Sequence, residues 1–270
     1  MAEKVTIGNC ELWHGDALEV MAELAPVDTL ATDPPYFLPA AHYSVRSGSA
    51  RSIGDLSILN HYFADFFKAA GRCLKPTGTA YVFCDGQSYP VFYATAYSHF
   101  RKLRPLIWDK KTSINGYSWR HQHELILFCE GESAPKVPTG DGDVIEHRSE
   151  PIGDREHLAQ KPVGLMKRLV EKTTPDEGVV LDPFMGSGTT GVACEQLGRK
   201  FVGIEVERRY FDIACERIAA AKNQGELFAK VGAGDTAVQG DMLLPANAEL
   251  RGAKPIGEAS RSNAVLGEED

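Results

Sequence analysis

The apolar and polar positions alternate along the chain in two distinct rhythms. Residues 5–7 and 11–13 are short strand-like runs on either side of the turn pair Gly8-Asn9. Residues 16–24 place Ala17, Val20, Met21 and Leu24 at the spacing of a short helix. An apolar run over 27–31 predicts a buried strand, which stops abruptly at Asp33-Pro34-Pro35-Tyr36. Residues 37–57 are rich in Ser, Gly and Arg, have no period, and predict a long loop. Helical spacing resumes over 59–74, and Lys75-Pro76-Thr77-Gly78 supplies a helix stop. Strands are predicted at 79–84, 103–108 and 125–129, with a helix over 89–99. Residues 131–156 turn polar and predict an insert or loop, followed by a helix over 163–172 that Pro162 opens. Then come a strand at 179–182, a helix at 188–197, a strand at 201–205 and a helix to about 222. Strands alternating with helices predict an α/β fold with a doubly wound, mostly parallel sheet. From 225 the composition shifts to Gly, Ala, Pro and acids. One catalytic domain over 1–224 and a flexible tail over 225–270 are therefore expected.

Composition narrows the class. With 270 residues, 43% of them hydrophobic, the chain buries a full core without disulfides or metals. No apolar run reaches the ~18 residues of a membrane helix, so no membrane association is expected. The first residues lack the apolar segment and cleavage pattern of a signal peptide. The six cysteines are scattered without a Cys-x-x-Cys pair, which fits a reducing cytoplasm. A net charge of -8 argues weakly against a nucleic-acid partner, but it is a whole-chain sum, blind to local patches.

Two turns carry candidate chemistry. Gly186, Gly188 and Gly191 form a G-x-G-x-x-G between a strand and a helix, where backbone N–H groups can receive a ligand. A Cβ at Gly188 is expected to sit where that ligand approaches. Glu205 ends the next strand and can accept hydrogen bonds from both hydroxyls of a ribose. A dinucleotide and S-adenosylmethionine both satisfy this pattern, whereas the absence of G-x-x-x-x-G-K-[ST] disfavours a nucleoside triphosphate. The second turn, Asp33-Pro34-Pro35-Tyr36, lies at the carboxyl end of a strand, the ligand-binding edge of open α/β sheets. Its prolines stiffen the backbone and leave carbonyls as acceptors. A carboxylate, a carbonyl and an aromatic plane on one rigid turn suit a planar ring bearing an amino group.

These two segments resemble those of the DNA amino-methyltransferases, which make N6-methyladenine or N4-methylcytosine from S-adenosyl-L-methionine. Asp33-Pro34-Pro35-Tyr36 is similar to the family's catalytic motif, and Asp182-Pro183-Phe184-Met185-Gly186-Ser187-Gly188 to its cofactor motif. The catalytic motif comes first, an order similar to the permuted β subclass. Gly15-Asp16, Leu74-Lys75-Pro76-Thr77-Gly78, Trp108-Asp109-Lys110, His123-Glu124 and Gln160-Lys161-Pro162 follow the same sequence of motifs, so the likeness spans about residues 11–222. The resemblance implies a Rossmann-like methyltransferase sheet and a double-stranded DNA substrate whose target base leaves the duplex to stack on Tyr36. It implies cofactor contacts from Asp16 (adenine), Phe184 (methionine part), Lys161 (carboxylate), Asp182, Gly186, Ser187, Gly188, Thr189 and Glu205. Asp33 at the head of the turn, in place of Ser, resembles the adenine-modifying pattern. Family analogy favours a homodimer and leaves a restriction partner open. The family's target-recognition region falls in the short segment 131–156, and base choice is expected there or in the loop at 37–57.

Basic residues close to aromatic ones, Lys110, Lys111 and Arg120 near Trp108, Tyr117 and Trp119, are candidate phosphate contacts, as are Arg46 and Arg51 after the catalytic turn. His121, His123 and Glu124 lack the further ligand a metal site needs, so no metal is expected. N4-cytosine, an RNA base or a protein glutamine amide are rival acceptors. A nicotinamide oxidoreductase is the rival from another enzyme class, and an inactive DNA-binding relic the rival that is not an enzyme.

Overall fold

The computed structural model describes residues 2–35, 56–114, 119–135, 140–149 and 160–234. The first compact unit spans Met1–Ala229, and all the features below lie in it unless stated. Its strands are β1 (Glu3–Ile7), β2 (Cys10–His14), β3 (Val27–Thr32), β4 (Leu74–Cys84), β5 (Lys102–Ile114), β6 (His121–Glu130), β7 (Val144–Glu146), β8 (Val179–Asp182) and β9 (Lys200–Glu205). The helices are α1 (Ala17–Met21), α2 (Leu56–Cys73), α3 (Tyr89–Ala96), α4 (Val163–Thr173), α5 (Thr189–Leu197) and α6 (Arg208–Gly234).

One sheet of nine strands runs in the order β1-β2-β9-β8-β3-β4-β6-β5-β7. The pairings β2–β9, β9–β8, β8–β3, β3–β4 and β5–β7 are parallel, whereas β1 and β6 run against their neighbours. Helices cover both faces, as a mostly parallel sheet requires. The strands' period of two decides which side chain meets which layer. Leu30, Ala80, Val82 and Cys84 pack with Phe63, Phe66 and Phe67 of α2 and Phe92 of α3. The intervening Ala31, Tyr81 and Phe83 pack with Leu165 and Met166 of α4, Val192 of α5 and Phe211 of α6. This is a doubly wound, mostly parallel α/β architecture, as expected.

Three local expectations need correction. The polar segment 131–156 contains β7, whose edge position against β5 needs few apolar residues. The Lys75–Gly78 stretch ends α2 as expected but then belongs to β4, across a register shift opposite Val27 and Thr29. Its carbonyls at Pro76 and Gly78 accept hydrogen bonds from Ser133 and Gly131. Residues 225–234, assigned to the tail, continue α6. Glu226, Leu227, Ala229 and Lys230 favour helix, and Gly225, Gly232 and Gly234 cost only about 1 kcal/mol each. Lys230–Asp270 form the second unit, of which residues beyond 234 lie outside the described ones.

Candidate active site

The strand order creates a crevice. After β8 the chain passes through α5 to β9 on one side, and after β3 it passes through α2 to β4 on the other. Adjacent strands whose connections depart in opposite directions open a cleft at their carboxyl ends, the ligand position of open α/β sheets. Four neighbouring parallel strands, β2, β9, β8 and β3, deliver an acid to this edge: Asp16, Glu205, Asp182 and Asp33.

Asp182 is the buried hinge of the crevice. Its Oδ1 accepts from Thr32 Oγ1 at 2.6 Å and from the Phe184 N–H at 3.2 Å, and its Oδ2 from Thr190 Oγ1 at 2.6 Å. Burial outweighs these three bonds and pushes its carboxyl up to about 6. Thr32 is thereby tied across to β8, which fixes where Asp33 follows. Thr32 and Thr190 carry no motif of their own, so the sequence does not single them out, and Thr32 reaches Asp182 only through the pairing of β3 with β8.

The glycine-rich turn folds over β9. Asp182 stands opposite Gly203 in the ladder, so Glu205, two residues on, lies beside the turn. Its Oε2 accepts the Gly186 N–H at 3.0 Å and its Oε1 the Glu207 N–H at 2.8 Å, while burial raises its carboxyl above the usual range. Gly186 has φ +52°, and a Cβ there would meet nothing within 4 Å, so its backbone is open to a ligand. Gly188 differs from expectation. It has φ +80°, and its Cβ would lie 2.8 Å from Ala214 Cβ, so the missing side chain makes room for α6. Ser187 and Thr189 also turn toward α6. Arg217 Nη1 donates to the Ser187 carbonyl at 2.6 Å, to its Oγ at 3.0 Å and to Thr189 Oγ1 at 3.3 Å. Arg217 had no signal in the sequence, because an Arg on a predicted helix is ordinarily a solvated one.

Asp16 caps α1, its Oδ1 accepting from the N–H groups of Leu18 (2.9 Å) and Glu19 (3.2 Å). The Gly15 N–H donates to the Glu205 carbonyl, which sets Asp16 next to Glu205. Phe184 is half-buried against Phe66 of α2, ring centroids 5.5 Å apart.

Across the crevice, Asp33 meets Lys161. The ammonium lies 2.5 Å from Asp33 Oδ2 and 2.9 Å from Glu124 Oε1, above the Phe83 ring at 5.0 Å. Burial disfavours the Lys161 charge, but the carboxylates of Asp33 and Glu124 prevail and hold its proton above the ordinary lysine range. Glu124 also pairs with Lys110 at 2.9 Å, and Lys110 lies over the Trp108 ring. Lys161 thus pairs with the Asp-Pro-Pro turn, whereas the resemblance assigns it to the cofactor's carboxylate. Lys111 is held by Asp109 (3.0 Å) and Glu146 (2.7 Å), and Arg120 is exposed at the head of β6 beside Trp119. Pro34 is buried and Pro35 half-buried; Tyr36, Arg46 and Arg51 lie outside the described residues.

The donor set fits S-adenosyl-L-methionine better than a dinucleotide. Glu205 offers a carboxylate to a ribose, and Gly186 leaves open backbone beside it. The carboxylates of Asp16 and Glu205 beside this turn favour a sulfonium cation over a pyrophosphate. A Rossmann-like sheet with this crevice and an Asp-Pro-Pro turn on its far wall is the layout that the sequence resemblance implies. The sequence comparison agrees. Residues 27–216 match the DNA methylase family (N6_N4_Mtase), and the chain belongs to it. It is 30% identical over 251 residues to Type II methyltransferase M2.LlaDCHI of Lactococcus lactis subsp. cremoris, covering 80% of this chain and 92% of that one. It is also 30% identical over 243 residues to M2.DpnII of Streptococcus pneumoniae, covering 77% and 89%. Among solved structures, the M1.HpyAVI–SAM complex superposes with a TM-score of 0.62 at 25% identity, over 77% of this chain and 98% of that one. The PvuII cytosine-N4-specific enzyme shares the fold at a TM-score of 0.65 and 18% identity, over 81% and 93%. The family is SAM-dependent, and its activity is methylation of amino groups in DNA.

Proposed function

We propose that this protein methylates N6 of adenine at a specific site in double-stranded DNA, on a base turned out of the helix. The observation that carries the reading is the Asp33 carboxylate, fixed on a rigid Pro-Pro turn at the switch-point crevice and clasped by a buried ammonium. S-adenosyl-L-methionine supplies a methyl group on a sulfonium centre, which departs as a neutral thioether once the methyl is taken. The chain's residues do the rest. Asp33 and the Pro34 carbonyl accept the two N–H bonds of the amino group. That favours a pyramidal nitrogen, whose lone pair then forms the bond to the methyl carbon. The nitrogen sheds one proton to Asp33, which passes it to water. Catalysis of this kind is positioning and electrostatics, without a covalent enzyme intermediate. Asp16 and Phe184 flank the cofactor's adenosine and methionine ends, and Glu205 takes its ribose. Base choice resides in 131–156, where β7 anchors the segment to β5. Arg120 supplies phosphate contact, with Arg46 and Arg51 assigned the same role. Lys110 and Lys111 contribute less, because their charges are already paired.

The test is incubation of unmethylated plasmid DNA with labelled S-adenosyl-L-methionine, then digestion and nucleoside mass spectrometry. Label in N6-methyldeoxyadenosine is expected. Label in N4-methyldeoxycytidine alone overturns the base, and label in no DNA nucleoside overturns the proposal.

A further inference from the structure

Lys161 is a buried ammonium with carboxylates on two sides and an aromatic face on a third. Its partners come from separate elements: Asp33 from the end of β3, Glu124 from β6 and Phe83 from β4. Glu124 is held in turn by Lys110 of β5. A line of alternating charge, Asp33, Lys161, Glu124, Lys110, therefore crosses the carboxyl edge of the sheet, ending on the reacting turn. An ammonium ion on Oδ2 sets the rotation of the Asp33 carboxylate and favours its ionised form. Asp33 faces like charges as well. Asp182 on β8 and Cys84 of β4 both lie within its field, and the Lys161 ammonium is in contact with it.

We infer that Lys161, steadied by Glu124, is a positioning residue that keeps Asp33 ionised and aimed at the amino group of the base. The inference rests on the methyl-transfer reading above and assigns Lys161 to the acceptor half of the site, away from the cofactor's carboxylate. The pairing with two acids has a chemical reason. When Asp33 takes the proton shed by the methylated nitrogen, its charge is cancelled, and Glu124 still balances the buried ammonium. A lysine with Asp33 as its sole partner would be stranded as an unpaired buried cation at that moment.

The test uses the full chain with Lys161→Met, Lys161→Arg and Glu124→Gln. Turnover on unmethylated plasmid DNA is followed from about pH 3 to about pH 9, a range that holds the limb of an ionised Asp, since such limbs report essential acids and bases. Affinity for S-adenosylhomocysteine is measured alongside by calorimetry. Lys161→Met is expected to lower kcat by ~100-fold, the scale for a lost polar group at a reacting centre. Its acidic limb should move up by about one pH unit or more, as loss of an adjacent opposite charge requires. Cofactor affinity should stay at the wild-type value, and Lys161→Arg should keep the limb in place. An unshifted limb in folded Lys161→Met overturns the inference. So does weakened cofactor binding with kcat intact, which would return Lys161 to the cofactor. If Lys161→Met does not fold, Glu124→Gln reads the same line with opposite sign. Loss of that negative charge should move the limb down, and an unmoved limb refutes the role. Wild-type protein that methylates no DNA refutes the proposed function itself, and shows this before any variant is made.

Discussion

Alanine at Gly186 and alanine at Gly188 should fail in different ways. Both residues have positive φ, +52° and +80°, where a Cβ costs about 1–2 kcal/mol. The surroundings then separate them. At Gly188 the new Cβ would sit 2.8 Å from Ala214 Cβ and 3.0 Å from Ala214 Cα, so α6 itself must shift. Overpacking of that kind costs typically about 1–3 kcal/mol. Gly188→Ala should therefore lose about 2–5 kcal/mol, a large share of the roughly 5–15 kcal/mol that holds a domain together. In urea, with a slope of about 1–3 kcal/mol per molar, the midpoint should fall by on the order of 1–2 M. At Gly186 no atom lies within 4 Å of the added carbon. Gly186→Ala should keep all but about 1–2 kcal/mol of stability. It should nonetheless lose at least ~tenfold in affinity for S-adenosylhomocysteine, about 1.4 kcal/mol, because the methyl group occupies the ligand's approach. Urea unfolding followed by circular dichroism and calorimetric titration read the two quantities separately. A Gly186→Ala protein that binds as the wild type would refute the placement of the cofactor. A Gly188→Ala protein of full stability would refute the packing argument.

Three further outcomes follow from the same geometry. Glu205→Ala removes a charged acceptor worth about 1.5–3 kcal/mol, so cofactor affinity measured by calorimetry should drop by roughly tenfold or more with the fold retained. Asp182 has a carboxyl raised to about 6 by burial, above its ordinary 3.8, so the folded state holds its proton longer than the unfolded one. Its stabilising contribution is whole below about pH 4 and lost as pH rises through about 6. Asp182→Asn, compared with wild type in urea titrations across that window, should flatten this part of the pH dependence; an unchanged slope would show that another group causes it. Arg120→Ala should lower the slope of log K against log salt for duplex DNA by about 0.9, one phosphate contact, whereas Lys111→Ala, whose charge Asp109 and Glu146 already neutralise, should lower it by less. Equal effects in fluorescence titrations would mean that the Lys111 ion pairs open on DNA.

The parts of this protein that the chain determines by itself are those set by neighbours in sequence. The alternation in β3 and β4, the turn at Asp33-Pro34-Pro35 and the glycine at 186 need only local sterics and burial period. The strands, the crevice edge and both motifs were legible for that reason. The same local logic misjudged 144–146, since an edge strand borrows its hydrogen bonds from β5 and needs little apolar signal of its own. It also misjudged Gly188, because the demand for a missing side chain comes from Ala214, 26 positions away. Side-chain partners across the sheet were out of reach altogether. Lys161 finds Asp33 over 128 positions, and Arg217 finds Ser187 over 30. Strand order places those pairs together, and strand order is chosen by the packing of the whole sheet between its two helical layers. Sequence therefore determined which residues stand at the carboxyl edge. Only the tertiary structure decided that the ammonium of Lys161 would clasp the Asp33 carboxylate, because a buried charge settles where the completed fold offers it opposite charge.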